Sequence, residues 1–103
     1  MRVAKPTRRI LEIAQMLGPD YTVKNIDFEN VIYREINGYE FEVSGLDHNT
    51  KRINATLYVW DVTVGIFTVE TISGICSEGE LKDVLTRAAE HYSQRPHQIP
   101  TLY

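Results

Sequence analysis

The dipeptide Asn37-Gly38 stands between two alternating apolar–polar runs, 31–36 and 39–43, and no other feature of the chain constrains its fold as much. A two-residue hairpin connection of type I′ needs positive φ at both central positions, and Asn-Gly meets that need with the least strain. Such a turn sets the register: Ile36 opposes Tyr39, Arg34 opposes Phe41, and Ile32 opposes Val43. One face of the hairpin then carries Ile32, Arg34, Ile36, Tyr39, Phe41 and Val43. The other carries Tyr33, Glu35, Glu40, Glu42 and Ser44.

Around this hairpin, helical spacing of Ile10, Leu11, Ile13, Ala14 and Leu17 predicts a helix over 7–17, with Pro6 at its start and Gly18-Pro19 as its stop. A short strand near 21–23 is left open. After the turn residues 47–50, alternation predicts a strand over 53–60, and a further strand over 66–72 follows Gly65. Ser77 and Glu80 form a capping-box signature, with Cys76 placed to pack on Leu81 as a staple. Leu81, Val84, Leu85, Ala88, Ala89 and Tyr92 keep helical spacing until Arg95-Pro96. The expected fold class is α+β: a single domain with a four-stranded antiparallel meander sheet flanked by an N-terminal and a C-terminal helix (α-β-β-β-β-α), both covering the aliphatic sheet face. Residues 1–95 form the domain, with 1–5 as a basic N-terminal arm and 96–103 as a tail.

A chain of 103 residues, 43% hydrophobic and with only 4 Pro and 6 Gly, has enough apolar side chain for one core. Its 11 basic and 14 acidic residues give a net charge of −3, which disfavours a whole-surface nucleic-acid binder. A single cysteine excludes an intramolecular disulfide and fits a reducing compartment. No export segment follows Arg8-Arg9, because Glu12 and Gln15 interrupt it, and no apolar run is long enough to span a membrane. A cytoplasmic location is the expectation, and Asn54-Ala55-Thr56 is read as a chance glycosylation match.

The motif search predicts no enzyme, cofactor or metal site: there is no phosphate-binding glycine loop, His-Glu-x-x-His, nucleophile elbow or paired-cysteine site. Cys76 before a helix N-terminus reads as a small buried hydrophobe rather than a nucleophile. His48 beside Asp47 reads as a solvated turn residue. His91 reads as a cation suited to the end of the second helix. Arg34, the one charge on the aliphatic hairpin face, reads as an inward charge guarding an edge strand, with an anion anchor as the competing role.

Two surfaces remain. The basic residues Arg2, Lys5, Arg8 and Arg9 could contact phosphate, and the element order resembles that of the double-stranded-RNA-binding domain. That family's second helix starts strongly basic, whereas this one starts Ser77-Glu78-Gly79-Glu80, so the arm is the secondary reading. The other surface is the outward sheet face, expected to gather Tyr33, Tyr58 and Trp60 with Glu35, Glu40, Glu42 and Glu70. Between residues 25 and 50 six acids (Asp27, Glu29, Glu35, Glu40, Glu42, Asp47) face one base, Arg34. Aromatics inside an acidic rim suit a protein interface for a basic partner; a solvated face and a homodimer contact are the competing readings. In size and acidity the chain resembles small accessory proteins of phages and mobile elements, which implies inhibition of a host protein; carboxylates spaced along strands, able to take the place of phosphates, make a nucleic-acid-handling enzyme the sharp form of that expectation. The expectation is therefore a non-catalytic protein-binding module.

Overall fold

The computed structural model of the protein describes residues 5–63 and 65–96, so Arg2 and the tail beyond Pro96 lie outside the described residues. The elements are α1 (Arg8–Leu17), β1 (Thr22–Ile26), β2 (Glu29–Ile36), β3 (Tyr39–Ser44), β4 (Ala55–Asp61), β5 (Phe67–Ile75) and α2 (Glu78–Gln94). The strands form one antiparallel meander in chain order. The fold is α+β as expected, but the sheet has five strands, not four.

The extra strand is β1, paired with β2 from Thr22↔Tyr33 to Ile26↔Glu29. Its turn is Asp27-Phe28, with both residues in the left-handed region at φ 51° and 66°. This is a two-residue hairpin made without Asn-Gly, so no turn dipeptide announces it. The Asn37-Gly38 hairpin has the expected register, Ile32↔Val43, Arg34↔Phe41 and Ile36↔Tyr39. With β1 in place, β2 is an interior strand, and the edge-guarding role expected of Arg34 falls. Its guanidinium instead lies over the Tyr21 ring, 5.3 Å from the centroid, with Nη2 3.9 Å from Asp20 Oδ2.

Both helices cover the aliphatic face. Ile10 and Ile13 of α1 and Leu81, Leu85, Ala88 and Tyr92 of α2 join Ile32, Phe41, Val43, Leu57 and Val59 in one buried cluster. Burying six such α-helical side chains drives each helix onto the sheet, at about 1.5–3 kcal/mol for each large one. Thr7 caps α1, its Oγ1 accepting from Ile10 N–H at 3.3 Å. Asp47 ties this cap to the sheet, accepting from Thr7 N–H at 2.8 Å and from the Asn30 amide at 2.9 Å. Burial opposes its charge, yet these donors prevail and hold its carboxyl below the ordinary range. With both oxygens so used, Asp47 does not orient His48, whose ring bonds to the Gly45 carbonyl and Thr50 Oγ1.

Ser77 caps α2 as expected, but the staple does not form. Cys76 is exposed, its thiol directed at the Gly74 carbonyl 3.2 Å away, while its N–H donates to Glu80 Oε2. Ile75, one residue earlier, is the buried side chain.

Where β3 leaves the sheet, Gly45 has φ +87°, and an added Cβ would lie 2.5 Å from the Asn54 carbonyl oxygen. Gly45→Ala therefore combines left-handed strain with a backbone clash. It is expected to cost about 2 kcal/mol or more, read as a lower urea midpoint with an unchanged slope.

Candidate protein-binding face

The helices leave the opposite sheet face uncovered, and the register determines what it presents. Across β2, β3 and β4 the direct pairs are Tyr33↔Glu42, Glu35↔Glu40, Glu40↔Trp60 and Glu42↔Tyr58. Six of the seven residues expected on this face are thus together on three adjacent strands. Glu70 is not among them. Two register shifts interrupt the β4–β5 ladder, between Ala55 and Leu57 and between Val59 and Trp60. They place Glu70 opposite Val59, on the helix-covered side, where it accepts a 2.7 Å hydrogen bond from the Tyr92 phenol. Strict alternation along β5 does not anticipate a bulge, which inserts a residue and swaps the faces beyond it.

The aromatic side chains and the carboxylates hold each other diagonally. Tyr33 donates its phenol proton to Glu40 Oε1 at 2.8 Å, and the Trp60 indole N–H donates to Glu42 Oε2 at 3.3 Å. Tyr58 and Trp60 stack with centroids 6.1 Å apart. All three rings are half-buried, so cross-strand packing accounts for part of their surface. Val31, on the same side as Tyr33, is fully buried and gives the face an apolar floor.

The charges are poorly compensated. None of the ion pairs among the described residues involves Asp27, Glu35, Glu40 or Glu42. Glu35 and Glu40 are direct cross-strand neighbours of like charge, an arrangement that costs stability. Burial, and then the charges of Glu29, Asp27 and Glu40, push the Glu42 carboxyl above the ordinary range despite the indole donor. Burial and the neighbouring Glu40 and Glu35 likewise hold the Tyr33 phenol proton well past the usual phenol range. A nearby cation is Lys24, whose ammonium sits over the Tyr33 ring at 4.2 Å.

Between these groups the surface dips into a depression of about 250 Å³ lined by Ile26, Asp27, Tyr33, Glu40, Glu42, Trp60 and Ile66. Ile66 and Phe28 stand exposed at 77% and 70%. Sequence reasoning singled out neither of them, nor Ile26, and placed Asp27 only among the acids, because the short strand near 21–23 was not extended to 26 or paired with β2. Phe28 carries an additional cost, since a bulky residue at φ 66° is strained while its ring contributes little burial to the fold. Phe28→Gly is therefore expected to raise stability by roughly 1 kcal/mol, measured by urea unfolding. If stability drops instead, the ring supports the fold and is not held out for another molecule.

Among the described residues, Lys5, Arg8 and Arg9 do not assemble into a comparable surface. Arg8 donates to Glu12 at 2.9 Å within its own helix, Arg9 is half-buried with its Nε enclosed, and Lys5 is exposed. His91 is exposed in the last turn of α2, edge-on to Tyr92. Among the described residues no cluster of His, Cys, Asp and Glu is arranged to hold a metal ion, and no helix is long and apolar enough to cross a membrane. No protein family, curated protein or solved structure matches this chain.

Proposed function

We propose that the protein is a non-catalytic binding module that engages a basic protein surface through the outward face of β2, β3 and β4. The observation that carries this reading is the sheet face that neither helix covers, where Tyr33, Tyr58 and Trp60 sit among Glu35, Glu40 and Glu42, which have no salt-bridge partner among the described residues. Rigid strands fix these side chains, so little ordering entropy is lost on binding. Half-buried aromatics supply contact area, and the acidic field raises the rate at which a basic partner arrives. Exposed Phe28 and Ile66 extend the contact beyond the carboxylates. In its sharp form the module is an inhibitor whose carboxylates take the positions that phosphates occupy on a nucleic-acid-handling enzyme.

The test uses a lysine decapeptide as the minimal basic surface, titrated by calorimetry at low and at physiological salt. Saturable binding that weakens steeply with salt is expected. A duplex RNA titrated in parallel is expected to give no complex. No peptide binding at low salt, or RNA binding in its place, overturns the proposal.

A further inference from the structure

We propose that the depression between Tyr33 and Trp60 seats one arginine side chain of the partner, with Glu40 and Glu42 as its counter-charges; this rests on the protein-binding reading and names its central contact. Drug-sized ligands occupy cavities of about 300–1,000 Å³. At about 250 Å³ and open to solvent, this depression suits a single long side chain entering from another protein.

Its chemistry selects a flat organic cation. A divalent metal takes oxygen ligands and gains nothing from aromatic walls, whereas an indole and a phenol ring attract a cation over their faces. Lys24 at 4.2 Å from the Tyr33 centroid shows that ring already used in this way from within the chain. The carboxylates are oriented beforehand. Glu40 Oε1 receives the Tyr33 phenol and Glu42 Oε2 receives the Trp60 indole, which leaves the second oxygen of each to a ligand. Among the described residues no other hydrogen bond reaches either group.

Arginine fits better than lysine for two reasons. Glu40 and Glu42 are two residues apart on β3, about 7 Å between Cα atoms, and a planar fork with five donors can reach both carboxylates, whereas an ammonium is a point charge. The depression is also rimmed by Ile26 and Ile66, and a guanidinium gives up its water more readily than an ammonium. The Glu42 carboxyl, held above its ordinary range chiefly by burial and then by the acids around it, gains from a cation placed there.

Trp60 is the chain's single tryptophan, so its fluorescence reports on this depression alone. The full chain is titrated at constant ionic strength with Gly-Arg-Gly, Gly-Lys-Gly, Gly-citrulline-Gly and tetramethylammonium. The arginine peptide is expected to give a saturable change, at least 5-fold tighter than the lysine peptide, and the uncharged citrulline peptide none. Glu42→Gln is expected to weaken the arginine response about 10-fold, while Glu90→Gln, on the exposed side of α2, leaves it unchanged. Equal responses to arginine and lysine, tighter binding of tetramethylammonium, or an undiminished response in Glu42→Gln each overturn the assignment. If the lysine decapeptide binds while the arginine peptide leaves Trp60 unmoved, the binding face stands and the arginine seat falls. If neither binds, both fall.

Discussion

Reversing Glu40→Lys and Glu42→Lys together is expected to weaken binding of the lysine decapeptide at least 100-fold, which corresponds to about 2.7 kcal/mol. One isolated surface pair is worth only about 0.2–1 kcal/mol, so removing two attractions does not reach that figure. The reversal goes further, because each site changes from attracting a cation to repelling it, and both sit half-buried where water screens them less. The fold should survive. Neither carboxylate anchors the core, and the change breaks up a crowd in which Glu35 directly faces Glu40 and in which Glu42 is held above its ordinary carboxyl range. Tyr33 and Trp60 lose their acceptors at this open face, where water can replace them. A Glu78→Lys and Glu90→Lys chain carries the same net charge with both changes exposed on α2, and only a few-fold loss is expected of it. An equal loss in the two variants would mean that overall charge, not this face, attracts the peptide.

Much of the outward sheet face was legible because one turn is. Asn37-Gly38 determines which residues of β2 and β3 share a side, and the alternation of β4 extends the pattern, so the sequence alone groups Tyr33, Glu35, Glu40, Glu42, Tyr58 and Trp60. Asn37 also does something no local pattern reveals: its amide donates to the Tyr92 and Arg95 carbonyls at 3.0 and 3.1 Å, capping α2 from a turn 55 residues away. Three features escaped for physical reasons. The β1–β2 hairpin turns through Asp27-Phe28 without the Asn-Gly signal, so the short strand near 21–23 stayed open, the sheet was counted as four strands and Arg34 was placed on an edge. Bulges in β5 carried Glu70 to the helix side. Ile75 took the buried place expected for Cys76, a choice made by packing against the core rather than by the capping residues. The depression escaped with β1, since three of its seven lining residues are Ile26, Asp27 and, before β5, Ile66.

Tyr92→Ala is expected to be the most damaging single change, costing about 3–5 kcal/mol, the range for truncating a large buried aromatic. A domain of this size holds roughly 5–15 kcal/mol in all, so the variant should be partly unfolded at modest urea. Tyr92 is 2% exposed, its ring 4.8 Å from that of Tyr39 and 5.7 Å from that of Phe41, at the junction of α2 with the sheet. Its backbone carbonyl receives the Asn37 amide and its phenol reaches Glu70 at 2.7 Å, so one residue joins hairpin, helix and the displaced part of β5. Tyr92→Phe separates the ring from the hydroxyl. It keeps the packing and loses one charge-assisted hydrogen bond, an expected cost of about 1–2 kcal/mol. The pH dependence isolates the same bond. Burial, and then the Glu70 carboxylate, push the Tyr92 phenol from 10.0 up to about 12 in the folded chain, outweighing the opposing effect of Arg95. The folded state therefore holds this proton more tightly than the unfolded one. The resulting stability is complete below pH 10 and is lost as pH rises from 10 towards 12. Urea midpoints across that window should fall for the native chain and fall less steeply for Tyr92→Phe, the remaining slope including the raised Tyr33 phenol. If the two chains lose stability in parallel, the Tyr92–Glu70 bond contributes nothing to the fold, and the helix is held by ring packing and the Asn37 cap.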